Sequence, residues 1–551
     1  MINRKTILLG LLSSLMVMPA CLWAATIPAD LQTGWQTIDT AVLKDDVTLL
    51  ASDSLHGRLS LTAGDASAIQ WIEQQFKLAG LKPANGHRYL QPVPVIQYVP
   101  DRKNSYIVLE KSTRLKRWHT PEVQTEFVNN VDVKGDVVFA GYGITAPSLH
   151  YDDYQQIDVR GKIVLVFEHE PQETVATSRF NGKSNTIYAT NRIKALNAQR
   201  HGALAILIAP EPNRRHPSNI ERYQRVGGST ARAVPLPSQV LLHDDLHIPV
   251  VVISDAVANA IVGSDLSLSA AQAAIDNDVI PFSKPLQQTR IAIHDRNMSR
   301  STGKSYNVVG LLPGADPTLA RETIIISAHH DHDGESGTQI WHGADDNASG
   351  TVGVVALARA MSKNAQDPAG LKPRRSILFV VFAGEERGLL GAYYMASHPL
   401  RLLSTTRAMI NLDMIGRNEA ASSQTEGLID IPADTTNRLN LIGAHYSPDY
   451  LQTLVEANKQ VGLVLDSRFD EEAALNVFFR SDQFPFVLHR IPAFWWFTGF
   501  HPDYHHTTDT ADKINYPKMQ RILQLAYLSG YDFANTATPP RFVNDPVPTS
   551  A

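Results

Sequence analysis

The chain has 551 residues, 43% hydrophobic and 19% charged, with a net charge of -5. These proportions exclude a disordered or collagen-like chain, and with no Lys/Arg-rich run the sequence lacks the electrostatic footprint of a nucleic-acid binder. Its single cysteine excludes a disulfide framework, so a metal site must draw on His, Asp and Glu.

In chain order, the first segment pairs Arg4 and Lys5 with an apolar run from Ile7 to Pro19 and small residues around Ala20–Ala25. This pattern predicts a secretory signal over 1–24 and a secreted or periplasmic protein. A retained N-terminal helix and a lipoprotein acylated on Cys21 are the alternatives. Residues 41–86 carry helical spacing, with Ile69, Ile72, Phe76 and Ala79 on one face and Gly80 as a stop. Strand-like alternation follows from 89 to 98.

Near residue 131 the texture changes. Segments 136–143, 161–167, 203–208 and 248–254 read as short buried strands with glycines close by. From about 286 strand and helix alternate: strands at 323–328, 376–383, 408–412 and 492–498, helices at 349–362, 387–396 and 516–531. That alternation predicts an α/β fold, a mixed but mostly parallel sheet flanked by helices. The expected organisation is 25–130 as the N-terminal part of a catalytic domain, 131–285 as a β-rich insertion, 286–540 as the main catalytic part and 541–551 as a tail.

Acidic and imidazole residues recur just past the ends of these strands, where open α/β sheets place their sites. They are His329, His330, Asp331 and His332; Asp345 and Asp346; Glu385 and Glu386; Asp413; and the run from His501 to Asp509. Any one cluster is ordinarily a helix cap, a dipole partner or a hydrogen-bonded histidine. Five together are explained at once by a metal centre.

These motifs, Ala328-His329-His330-Asp331-His332, Gly343-Ala344-Asp345-Asp346-Asn347-Ala348-Ser349-Gly350, Ala383-Gly384-Glu385-Glu386, Asn411-Leu412-Asp413 and Tyr504-His505-His506-Thr507-Thr508-Asp509-Thr510, resemble the co-catalytic di-zinc aminopeptidase family, related to glutamate carboxypeptidases and the transferrin receptor. The block at 131–285, with Phe139-Ala140-Gly141-Tyr142-Gly143, looks like the protease-associated domain inserted in such enzymes. The resemblance implies two Zn2+ per chain, with Mn2+ or Co2+ as substitutes. It implies Asp345 as the ligand shared by both ions, Glu386 and His505 on one, and His329 and Asp413 on the other. Asp331 would orient His329, and Glu385 would be the general base toward a metal-bridged water. His505 is preferred over His506 because Asp509 follows it by four residues. His330, His332, His501 and His506 are left as supporting or exposed residues. Gln483 stands where the family motif after Ser481-Asp482 usually has His.

The implied function is a metal-dependent exopeptidase, an aminopeptidase acting on peptides. A glutaminyl cyclase on the same fold is the alternative; so is a carboxypeptidase, for which Arg480 and Arg490 would have to bind the terminal carboxylate. Of the aromatic run 494–500, half is expected in the core and half on the wall of an apolar pocket. A monomer without a membrane span after signal cleavage is the simplest expectation.

Overall fold

The computed structural model describes residues 27–543 apart from 126, 228–231, 233–235 and 473. The signal-peptide reading and most of the tail therefore lie outside the described residues. Among these residues no helix is long and apolar enough to cross a membrane.

A ten-stranded mixed sheet carries the α/β part. At its centre Ser376–Phe382, Thr323–His329, Thr406–Leu412 and Ala493–Phe497 run parallel, each with every residue buried or nearly so. Burial on both faces is why these segments read as unbroken apolar runs rather than as alternation. Helices Gly350–Gln366 and Tyr516–Asn535 cover one face, and apolar residues from both join one core with Ile324, Ile326, Phe379 and Ile410.

The N-terminal region is built into the same sheet. Strand Leu90–Pro100 pairs antiparallel with Asn297–Leu312, which pairs with Ser376–Phe382. Helix Ala63–Leu78 starts on Thr62, whose hydroxyl accepts from Asp65 N, and buries Ile69, Ile72 and Phe76 in that core.

A second, eight-stranded sheet runs Arg114–Trp118, Tyr106–Lys111, Ser283–Asp295, Val131–Ala140, Ile163–Phe167, Ala205–Ala209, Val250–Ile253 and Val123–Thr125. Sheet membership departs from boundaries drawn at 131 and 285. Strands from 106 to 125 and from 286 to 295 belong to the second sheet, whereas Ser238–Leu241 leaves it to pair with Val95–Tyr98 at the edge of the first. Those boundaries follow a change in local composition, but strand pairing is decided by partners far along the chain. Strand Asn297–Leu312 escapes sequence reading because its first half is mostly polar and exposed.

Candidate metal centre

The predicted residues converge beyond the C-terminal ends of the parallel strands. His329 closes Thr323–His329, Glu385 and Glu386 follow Ser376–Phe382, Asp413 follows Thr406–Leu412, and His505 lies in the loop after Ala493–Phe497. His329 Nε2 lies 3.3 Å from Asp413 Oδ1, and His505 Nε2 lies 3.5 Å from Glu386 Oε2.

The carboxylate between these pairs belongs to Asp346. Its Oδ1 is 3.5 Å from His329 Nε2 and its Oδ2 is 3.3 Å from His505 Nε2. This corrects the expectation for Asp345, which the structure turns the other way. Asp345 Oδ1 accepts from Gly416 N at 2.6 Å, and Oδ2 sits 3.2 Å from His501 Nε2. The turn is set by Asp509, whose carboxylate accepts both backbone N–H groups, from Asp345 at 3.0 Å and from Asp346 at 3.2 Å. Gly343, at φ 56°, enters this turn where a Cβ would lie 2.1 Å from Asp346 O and 2.5 Å from the His332 ring.

Asp331 also differs from expectation. Its Oδ1 is 3.8 Å from His329 Nδ1, which lies nearer its backbone carbonyl at 3.3 Å. The carboxylate instead accepts from Glu385 N at 3.0 Å and Glu386 N at 3.3 Å, so it holds the turn that presents both glutamates.

The two glutamates sit in unlike fields. Burial drives the Glu385 carboxyl well above the usual carboxylate range, only partly offset by His329. Burial opposes charge on Glu386 too, but His505 and His332 override it and hold that carboxyl at about 2. Asp346 is pushed up to about 6 by burial, with Glu386 adding to the shift.

Further residues support the centre: His332, left as supporting or exposed by the sequence, and Asp333 and Arg58, to which the sequence assigns no role. His332 Nδ1 lies 2.8 Å from Glu386 Oε1, and Asp333 Oδ2 lies 2.9 Å from His505 Nδ1, fixing the ring that faces Asp346. Ser481 donates to Asp413 Oδ2. Arg58, fully buried, donates from Nε to His330 O at 2.9 Å and from Nη2 to Gly343 O at 2.8 Å, tying the N-terminal region to two of the motif loops. Its signal in the sequence, a lone arginine after Gly57, is too weak to find. His330 binds Asp65 at 2.9 Å, and Gln483 holds the core, donating to Phe478 O at 2.8 Å.

Nitrogen and carboxylate donors thus form two sets, His329/Asp346/Asp413 and Asp346/Glu386/His505. Nitrogen and carboxylate donors of this kind suit zinc-like cations, and the residues fit such ions.

A cavity of about 350 Å³ opens over both sets, lined by Leu389, Met414, Phe479, Trp495, Tyr504 and Arg480 among others. The aromatic strand divides as its two-residue period dictates. Phe494 and Trp496 enter one core, Phe494 stacking on Tyr450 at 3.8 Å, while Trp495 faces the cavity side and donates to Asp413 O at 2.9 Å. Arg480 borders the cavity with Nη2 3.4 Å from Tyr504 Oη, whereas Arg490 is exposed.

Fold and donor set define a candidate metal centre at the C-terminal edge of an α/β sheet. Residues 307–529 match the model of peptidase family M28, and residues 132–261 match the model of the PA domain. The chain is 37% identical over 117 residues to a probable zinc metalloprotease of Pyrenophora teres f. teres, covering 19% of this chain and 24% of that one. It is 32% identical over 136 residues to a probable leucine aminopeptidase of Trichophyton verrucosum, covering 24% and 34%. The matched stretches therefore span about a quarter to a third of these relatives' own length. Among solved structures, an aminopeptidase from Aneurinibacillus sp. strain AM-1 superposes with a TM-score of 0.52 at 21% identity, covering 95% of this chain and 98% of the other. That likeness establishes the shared fold.

Proposed function

We propose that the chain is a metal-dependent aminopeptidase using two zinc ions. The observation that carries this reading is Asp346 dividing its two oxygens between His329 and His505. His329 and Asp413 would complete one ion's ligands, Glu386 and His505 the other's. When bound, the ions polarise the scissile carbonyl and lower the pKa of the attacking water. Glu385, partly buried at the cavity with Oε2 3.9 Å from His329 Nε2, takes the proton from that water and returns it to the leaving amine. Asp331 holds both glutamates through their backbone N–H groups, and His332 adds a contact to the Glu386 carboxylate.

The surplus of carboxylates around the cavity suits the ammonium of a free peptide N-terminus, and Leu389, Met414, Phe479 and Trp495 suit an apolar first side chain. Relatives described as leucine aminopeptidases support that preference. The run Ile7–Pro19 behind Arg4 and Lys5 supports export as a secreted or periplasmic protein.

Arg480 at the cavity wall favours one second reading, capture of a C-terminal carboxylate. Turnover of aminoacyl chromogenic substrates beside N-blocked peptides separates the two. Hydrolysis of the free-amine substrates alone supports the aminopeptidase. Release of C-terminal residues from N-blocked peptides supports the carboxypeptidase, and cyclisation of N-terminal glutamine without hydrolysis replaces both with a cyclase.

A further inference from the structure

We propose a third divalent-metal site, of the zinc class, held by His169, Glu173, Glu211 and His216 outside the centre described above. It stands independently of the peptidase reading.

The four residues come from the loops after two adjacent parallel strands of the second sheet, Ile163–Phe167 and Ala205–Ala209. One donor atom from each lies within 4.8 Å of all the others. His169 Nδ1 and His216 Nε2 are 2.9 Å apart. Glu173 spans them, Oε2 at 2.9 Å from His169 Nδ1 and Oε1 at 2.7 Å from His216 Nε2. Glu211 Oε2 caps both, at 3.4 and 3.1 Å. Three of the four residues are buried, His169 at 2% and Glu211 at 1% exposure. Donors around a tetrahedral zinc ion stand roughly 3.3 Å apart, so a slight widening of this cluster gives the geometry.

Proton bookkeeping points the same way. His216 Nδ1 lies 2.9 Å from Pro217 O and therefore carries a hydrogen, which leaves a lone pair on Nε2 in the neutral ring. That lone pair faces two carboxylate oxygens and the other imidazole. With Arg222 Nη2 donating to His169 Nε2, the neutral His169 ring carries its hydrogen on Nδ1, so adding a proton to His216 Nε2 puts two N–H groups 2.9 Å apart. A dication gives every lone pair one common partner, and two carboxylates cancel its charge. Ligation through His169 Nδ1 makes Nε2 a donor, and Arg222 Nη2 now lies 2.9 Å from it. Arg222 has somewhere to go: Glu168 Oε2 is 3.5 Å away, and the buried Oε1 of Glu168 has no hydrogen-bond partner.

The site would brace the second sheet against the catalytic part. The same loops reach Asn476 through Asn185 Nδ2 at 2.8 Å and Ala474 O through Arg222 Nη1 at 3.2 Å. Phe479 and Arg480 border both the cavity beside His169 and the one over Asp346.

The test is metal content after reloading the full-length chain with zinc and removing excess by gel filtration. Wild type should hold three equivalents. The variant His329→Ala/Asp346→Asn/His505→Ala should retain one, and adding His216→Ala and Glu211→Gln should remove it. Should that last variant misfold by circular dichroism, cobalt loading of the triple variant reads the intact cluster directly through the visible absorption of tetrahedral Co2+. A triple variant that holds no metal and develops no cobalt colour overturns the proposal, as does an equivalent that survives His216→Ala/Glu211→Gln. A wild type holding one equivalent, insensitive to the triple substitution and lost with the His216 variant, sustains this site while refuting the two-ion reading at Asp346.

Discussion

Asp345 and Asp346 are neighbours in the chain, yet their carboxylates serve opposite sides of one turn: Asp345 grips Gly416 N at 2.6 Å, and Asp346 reaches between His329 and His505. Asp346→Asn should therefore lower metal affinity by well over the 10–100-fold typical of a lost supporting contact and abolish turnover. Asp345→Asn should chiefly cost stability while leaving most of the bound zinc. Zinc titration of both variants checks the contrast, and equal metal loss in the two would reverse it.

The glutamate pair separates catalysis from binding. Glu385→Gln keeps shape but accepts no proton, so turnover should fall by about 10²–10⁴-fold with metal content unchanged and KM little altered. Glu386→Gln should lose metal and recover some activity in added zinc. Measuring metal and kcat for both under one condition decides the assignment.

Chelation should destabilise the folded chain as well as silence it, because the ions bind a geometry that the unfolded chain lacks. A ligand present at 100 times its Kd contributes about 2.7 kcal/mol per site. The melting temperature should drop after dialysis against a chelator and return on zinc addition. An unchanged melting curve would argue that the carboxylate clusters are stable without cations.

Specificity should respond at Phe479, which walls the cavity. Phe479→Ala should cut kcat/KM for a leucyl substrate by about 10-fold or more while changing an alanyl substrate much less, since each lost apolar contact weighs on the larger side chain. Parallel losses for both substrates would place the residue in general support rather than in the pocket.

A pH effect is expected far from the metal centre, at Asp153. Its Oδ2 accepts from Tyr142 N at 3.1 Å and Ile144 N at 3.0 Å, and Oδ1 accepts from Tyr151 Oη at 2.9 Å. Gly141, at φ 49°, leaves room for it; a Cβ there would stand 2.3 Å from Asp153 Oδ1. Burial nevertheless outweighs these bonds and pushes the carboxyl from 3.8 up to about 7. Between pH 4 and 7 the folded form then binds more protons than the unfolded one, so this group's contribution to stability falls as pH rises. Asp153→Asn should remove that slope and gain on wild type toward neutral pH, by about 4 kcal/mol at most. Melting of both proteins from pH 4 to 7 tests it; parallel curves would mean the carboxyl titrates normally.

The sequence by itself determined the parallel strands, because burial on both faces writes itself as runs such as 323–328 and 376–383. It also showed which loops gather the ligand-type residues, since these collect after those strands. Only the tertiary structure decided which member of a pair faces the centre. Asp345 and Asp346 are equivalent as letters; Asp509 and Gly416, 164 and 71 positions away from Asp345, orient them through backbone hydrogen bonds. Arg58 and the crossing of Ser238–Leu241 into the first sheet are likewise set by partners that local pattern does not encode. Periodicity reports how a segment is buried, whereas the direction of a single carboxylate depends on contacts made after the chain has folded.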